Sequence, residues 1–256
     1  MKIITLMENT TVDPNLASEH GLSLYVETQG IKILFDAGET GAFADNAEKL
    51  GVDLSQVDFA VLSHGHKDHS GGLLRFLELN DHAPIYVSSY VYDGQHNAAG
   101  NYIGPDPALR SRFRSYGEIC HPAPNVTLEC PKEAFGRIPL DTAGLQRTER
   151  GTLIPEDFRH EQYMRIREGE QEILFSGCSH RGVINIAEKY RPDILIGGFH
   201  YMKREPESLT PEAQALLELP TQYYTGHCTG EAQYAFLKNQ MGARLHYLST
   251  GSTLQL

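Results

Sequence analysis

Apolar residues alternate or cluster in short runs along the first ninety positions, and turn residues separate the runs. KIITLME, GLSLYVET and IKILFDAG read as three strands, with Gly30 at the tight turn between the last two. AFADNAEKLG sets Ala42, Phe43, Ala47 and Leu50 on one helical face and stops at Gly51. DFAVLSH is a short, nearly continuous apolar strand of the kind buried on both faces. GGLLRFLELN is helical again, and APIYVSS is another strand. From Tyr92 to about Arg159 the periodicity fails in a stretch rich in Gly, Pro, Asn and Arg, with short strands expected only around Val126–Leu128 and Arg137–Leu140. A long irregular segment of this kind suits a functional loop or lid.

Order returns with EQYMRIRE and QEILFSG, a hairpin turning at Gly169–Glu170. After it come the helix VINIAEKY, the strand DILIGG, a helix around PEAQALLEL, the strand QYYTG, the helix EAQYAFLKNQM and the strand ARLHYLST. The two halves share one plan, strands first and alternating helices later, and no Gly/Ser or Pro-rich linker divides them. The simplest expectation is one domain over residues 1–256, built of two β-rich layers covered by helices, with an excursion at about 92–159.

The chemistry concentrates in LSHGHKDHSGG, where three histidines and an aspartate fall within six positions just beyond a buried strand. In extended chain the i, i+2 pair His64 and His66 points one way and can share a metal. Asp68 and His69 fall in the turn that tightens into the Gly71-Gly72 helix and can face a second ion. Imidazole and carboxylate are usual ligands of zinc and other divalent first-row metals, and glycines at 65, 71 and 72 permit a tight loop. A polar surface turn is the competing reading, but such turns seldom follow an apolar strand with this spacing. Four ligands do not complete two sites, so further donors are expected at other strand ends. FSGCSHRG offers Cys178 and His180, IGGFHYM offers His200, and YTGHCTG offers His227 and Cys228. Each apolar strand there runs through glycine to a histidine, the placement where layered α/β proteins gather active-site groups.

Bulk properties narrow the partners. Hydrophobic residues make up 40% and charged residues 21%, ordinary for a globular protein, and the formal charge of −11 argues against a nucleic-acid partner. A small anionic substrate stays compatible, because a bound cation inverts the local field. MKIITLMENT reads as a strand and not a secretory leader, and no run approaches the ~20 apolar residues of a membrane span. Only four cysteines (Cys120, Cys130, Cys178 and Cys228) in a chain this long suggest reduced thiols in a cytoplasmic protein, and the absence of a C-x-x-C pair argues against a structural zinc ribbon. The expected partner is a small-molecule substrate, with no nucleic acid and no membrane, and a homo-oligomer left open.

The H-x-H-x-D-H pattern resembles the signature of the metallo-β-lactamase superfamily, and LFDAG (34–38) resembles the strand and turn that precede it. EHGLSLY, GCSHRG, GGFH and GHCTG look like the subgroup that contains 7,8-dihydropterin-6-methyl-4-(β-D-ribofuranosyl)aminobenzene-5′-phosphate synthase. The resemblance implies an α/β fold, a four-layer αββα sandwich. It implies one or two divalent ions, zinc first, with Mn2+ and Fe2+ as alternatives. His64 and His66 would hold the first ion, Asp68 and His69 the second, and His227 would complete the second site. Cys178 stands where dinuclear relatives carry a bridging aspartate, which puts occupancy of the second site in question. For the third ligand of the first ion, His180 is preferred over His160.

Among the remaining candidates, Asp36 would support the ligand loop by hydrogen bonding, and His200 would bind substrate or donate a proton. Cys178 is an inert buried residue, a ligand or a nucleophile. Asn9 and Glu19-His20 could reach the site mouth. Arg112, with Arg110 and Arg114 in the excursion, could meet a phosphate or carboxylate. The implied activity is hydrolysis by a metal-bound hydroxide oriented by Asp68, on a small anionic substrate. A synthase-like transferase and a non-catalytic metal- or ligand-binding module are the alternatives.

Overall fold

The computed structural model describes residues 1–256. Two seven-stranded sheets face each other, and each repeats the same plan of antiparallel pairs giving way to parallel ones. In the first sheet, Thr253–Gln255, Lys2–Met7, Ser23–Thr28 and Ile31–Phe35 are antiparallel neighbours, and Phe59–Val61, Ile85–Ser88 and Phe113–Tyr116 continue in parallel. In the second, Ile119–Ala123, Val126–Glu129, Tyr163–Glu168 and Gln171–Phe175 are antiparallel, followed in parallel by Ile194–Ile196, Gln222–Thr225 and Leu245–Tyr247.

The core divides into three apolar clusters, the three interfaces of a four-layer αββα sandwich. One joins the first sheet to helices Ala42–Lys49 and Leu73–Leu79 through Leu34, Phe43, Leu73 and Phe76. The middle cluster lies between the sheets, where Phe35 and Phe175 meet with ring centroids 5.6 Å apart. The third joins the second sheet to helices Val183–Tyr190, Thr210–Leu217 and Glu231–Met241 through Leu174, Ile186, Leu216 and Leu237. Sheets with apolar faces on both sides demand this double covering. It explains why their central strands, FAV and ILI, are apolar throughout and fully buried. No helix is long and apolar enough to cross a membrane.

The stretch 92–159 holds more regular structure than its composition suggests. Gln95–His96, Gln146–Glu149 and Thr152–Pro155 form a separate three-stranded sheet, while Phe113–Tyr116 and Ile119–Ala123 extend the two main sheets at their edges. These strands are short and half-exposed, so their sequences carry little hydrophobic alternation. The strand expected at Arg137–Leu140 does not form. That segment is irregular and is pinned by Asn185, whose Nδ2 donates to the Ile138 carbonyl and whose Oδ1 accepts the Ile138 N–H, both at 2.9 Å.

Candidate metal centre

The sandwich brings the C-terminal ends of five strands to one edge of the molecule. Ile31–Phe35 delivers Asp36, Phe59–Val61 leads to Ser63 and His64, and Gln171–Phe175 leads to Cys178 and His180. Ile194–Ile196 leads to His200, and Gln222–Thr225 to His227. Asp36, Ser179, His200 and His227 all hold positive φ, between 51° and 59°, a conformation that costs a non-glycine residue about 1–3 kcal/mol. Strained backbone therefore gathers where the side chains converge. The two halves approach so closely that Gly177 has no room for a Cβ, which would collide with Ser63 Oγ and His64 Nδ1. In the same way a Cβ on Gly71 would strike the Glu39 carbonyl.

Two groups of donor atoms form at this edge and share Cys178. In the first, His64, His180 and Cys178 lie together, with His64 Nε2 and His180 Nε2 3.3 Å apart. The His66 ring packs 4.7 Å from that of His64 and 4.8 Å from that of His180, and its buried Nε2 has no hydrogen-bond partner. In the second group, His69 Nε2 is 3.1 Å from Cys178 Sγ and 3.2 Å from His227 Nε2, and Asp68 Oδ2 is 3.3 Å from His227 Nε2. Nitrogen, thiol and carboxylate donors this close, with one imidazole atom buried and unpaired, fit a divalent cation.

The opposite edges of three imidazoles are held by the protein. His69 Nδ1 donates to Asp36 Oδ2 at 2.7 Å, His227 Nδ1 to Asn9 Oδ1 at 2.9 Å, and His64 Nδ1 lies 2.9 Å from Ser63 Oγ. Asp36 also accepts the Ser63 N–H at 2.7 Å and the Ser63 hydroxyl at 2.6 Å. This is how metal-binding histidines are usually oriented and their tautomer fixed.

Burial sets the charge states. It drives His64 and His180 well below the ordinary imidazole pKa and His66 down to about 3, each helped by neighbouring histidines, so these rings are neutral bases. His69 goes the other way: burial opposes its charge, but the Asp36 and Asp68 carboxylates outweigh burial and raise it. Burial likewise works to raise Asp68, yet His69 and His227 hold it below the usual carboxylate range. A metal entering the second group would thus compete with protonation of His69. Burial, reinforced by Cys228, pushes the Cys178 thiol up.

The donors open into a cleft of about 380 Å³ whose wall includes His20, Lys67, Lys203 and Arg204 as well as Cys178, His180 and His200. His20 Nε2 stands 3.5 Å from Asp68 Oδ2 and its Nδ1 3.2 Å from Asn9 Nδ2, while Glu19 instead accepts the Glu39 and Thr40 N–H groups at 3.0 Å. The His200 ring lies 4.4 Å from that of His180, and burial, with His227 and Lys203 nearby, lowers its pKa to about 4. Arg112 is not brought to the cleft; it donates to the Asp81 carbonyl at 2.7 Å. Of the cations lining the cleft, Lys67 lies within the histidine loop and pairs with Glu39 at 3.3 Å, Arg204 pairs with Glu212, and Lys203 follows His200.

The metallo-β-lactamase superfamily profile matches residues 19–201, the span that carries His64, His66, Asp68, His69, Cys178, His180 and His200. The chain belongs to the metallo-β-lactamase superfamily. It is 29% identical to 7,8-dihydropterin-6-methyl-4-(β-D-ribofuranosyl)-aminobenzene-5′-phosphate synthase of Methanocaldococcus jannaschii, over 93% of this chain and 91% of that protein. A solved structure described as a metal-dependent hydrolase of the β-lactamase superfamily superposes with a TM-score of 0.85 at 27% identity, covering 100% of this chain and 99% of that one. Zn2+-bound PqqB from Methylobacterium extorquens shares the fold at 12% identity, with a TM-score of 0.64 and all of both chains covered.

Two buried acids that shape this superfamily centre have no signature in the sequence. Glu8, fully buried, accepts the His227 N–H across 219 positions. Glu161 accepts the His180 N–H at 2.8 Å and the Arg181 N–H at 3.2 Å. His160 accepts the Gly65 N–H at 2.9 Å between the two histidines of the H-x-H pair, and lies outside both donor groups.

Proposed function

We propose that this superfamily member is a metal-dependent hydrolase acting on a small anionic substrate. The observation that carries the reading is the pairing of two donor groups around Cys178 with a cleft whose wall bears the unpaired cation Lys203, beside Lys67 and Arg204, which are paired to Glu39 and Glu212. His64, His66 and His180 would hold one divalent ion, zinc by donor type; Asp68, His69 and His227 would hold a second, and Cys178 belongs to both donor groups. Such ions lower the pKa of water to about 7 and polarise the oxygen under attack. The chain's own groups then do the rest. Asp68 orients the attacking water, and Lys203, exposed beside the cleft, meets the anionic group of the substrate. His200 hydrogen-bonds the substrate at the cleft wall; its depressed pKa suits a neutral imidazole better than the proton donor expected of it.

A second reading is favoured by the named relative: a transferase in which an aromatic acceptor replaces water. Both are tested by incubating zinc-loaded protein in 18O-water with a pterin diphosphate, with and without an aminobenzene acceptor. Hydrolysis places 18O in a released product without acceptor, whereas transfer yields a joined product only when acceptor is present. Neither product, across phosphate esters, thioesters and lactones as well, would leave a non-catalytic metal-binding module. Loss of turnover in His66→Ala and Asp68→Ala, with the fold intact, ties the activity to this centre.

A further inference from the structure

The side-chain amide of Asn9 stands between two histidines, and two backbone groups decide which way it points. The Gly21 N–H can only donate, and it lies 3.4 Å from Asn9 Oδ1; the His227 carbonyl can only accept, and it lies 3.5 Å from Asn9 Nδ2. The amide therefore shows its oxygen to His227 Nδ1 at 2.9 Å and its NH2 to His20 Nδ1 at 3.2 Å. An acceptor opposite His227 Nδ1 puts a proton on that nitrogen. A donor opposite His20 Nδ1 requires a lone pair there, so the His20 proton sits on Nε2. Two rings with centroids 4.6 Å apart thus hold opposite tautomers through one amide.

The His20 N–H is not used up inside the protein. Asp68 Oδ2 is 3.5 Å from Nε2, beyond the ordinary range of an N–H···O bond, and the His20 side chain is 52% exposed on the cleft wall. The backbone that carries the ring is fixed on both sides. The Glu19 N–H donates to the Glu8 carbonyl at 3.2 Å and the Leu22 N–H to the Asp68 carbonyl at 3.3 Å, and a Cβ on Gly21 would lie 2.7 Å from that same Asp68 oxygen. A pre-oriented N–H therefore stands at the cleft beside Asp68, whether or not the donor groups hold an ion.

We infer that His20 is a substrate-binding residue, its Nε2–H donating to an oxygen of the substrate's anionic group, and that Asn9 is the positioning residue that keeps the proton on Nε2. The donor role rests on the anionic-substrate reading above; the tautomer does not. The cleft wall also carries Glu39, Asp68 and Asp141, and Lys203 is its one lysine or arginine without a carboxylate partner. An anion entering such a cleft needs neutral donors as well as that cation, and His20 supplies one.

Two-bond 1H–15N spectra of the histidine rings, taken on metal-free protein in mildly alkaline buffer, read each tautomer directly. His20 should show the Nε2–H pattern and His227 the Nδ1–H pattern. Asn9→Asp exchanges only the amide's donor for an acceptor, so it should move the His20 proton to Nδ1 and leave His227 unchanged. A wild-type His20 protonated on Nδ1, or the same pattern in Asn9→Asp, would overturn the positioning role. Inorganic phosphate titrated into zinc-loaded protein tests the donor. His20→Ala should weaken phosphate about tenfold, the effect of one lost hydrogen bond to a charged group, and His20→Gln, which keeps an N–H, should restore most of it. Equal phosphate affinity in wild type and His20→Ala, at equal zinc content, overturns the donor alone. Absence of phosphate binding by fully zinc-loaded wild type overturns the anionic-substrate reading and the donor together.

Discussion

Asp36 holds His69 and Ser63 with one carboxylate: Oδ2 lies 2.7 Å from His69 Nδ1 and 2.6 Å from Ser63 Oγ, and Oδ1 accepts the Ser63 N–H at 2.7 Å. The residue sits at φ 59°, where asparagine is among the best-tolerated substitutes. Asp36→Asn should therefore fold, but its amide cannot accept from His69 and from both Ser63 donors together. Metal affinity should fall about 10–100-fold, the usual loss when the partner of a ligand histidine is removed. Chelator competition on the purified variant measures it. Wild-type affinity would mean that Asp36 only closes the turn.

Cys178 belongs to both donor groups, and its thiol is protonated while the centre is metal-free, because burial pushes its pKa up. A coordinating thiol is deprotonated outright. Cobalt loading should release a proton and produce a near-ultraviolet thiolate-to-cobalt band. Cys178→Ser should abolish that band and lower the second equivalent of bound metal more than the first. A cobalt spectrum identical in wild type and variant would make Cys178 a buried space-filler beside the ions.

The metal-free protein should lose stability on acidification below pH 6.5. His64, His66 and His180 have depressed folded-state pKa values, so between those values and 6.5 the unfolded chain binds more protons. Stability from this source is complete above 6.5 and is lost as pH falls toward about 3, the value for His66. Each such histidine steepens the dependence by up to about 1.4 kcal/mol per pH unit. His69, with its raised pKa, acts oppositely and only above its unfolded value. Urea melts of metal-free wild type and His66→Gln between pH 7 and 4 should differ in slope by close to one proton, and parallel slopes would refute the assignment.

The convergence of His64, His66, Asp68 and His69 was legible because its information is local: one apolar strand, then donors at fixed spacing within six residues. The helices and buried strands were legible for the same reason, since double covering makes their cores apolar without interruption. The edge strands of 92–159 were not, because half-exposed pairs such as Gln146–Glu149 with Thr152–Pro155 need no alternation to form. Nor were Glu8 and Glu161 legible, each a lone acid that meets its partner only through the tertiary fold. Arg112 shows the converse. Its residue type suits an anion, but the helical turn Pro107–Ser111 carries it to Asp81 and away from the cleft.

His160 tests how far the support of the centre extends. Its Nδ1 accepts the Gly65 N–H at 2.9 Å, so the proton sits on Nε2, which faces Glu156 Oε2 at 3.5 Å in a fully buried pair. The other oxygen of Glu156 is occupied by the Asp157 and Phe158 N–H groups, at 3.0 and 2.9 Å. A buried carboxylate thus stands opposite the ring whose other nitrogen holds the backbone between His64 and His66. His160→Leu would leave the Gly65 N–H buried without a partner, at a cost of about 1–3 kcal/mol, and free the loop to shift. Affinity at the first group should drop about tenfold or more. His160→Asn places its Oδ1 where Nδ1 was and should restore most of it. The cobalt ligand-field spectrum distinguishes support from ligation, since a supporting residue leaves the coordination bands of the Asn variant unchanged. Altered bands would make His160 a ligand and displace His180 from that role.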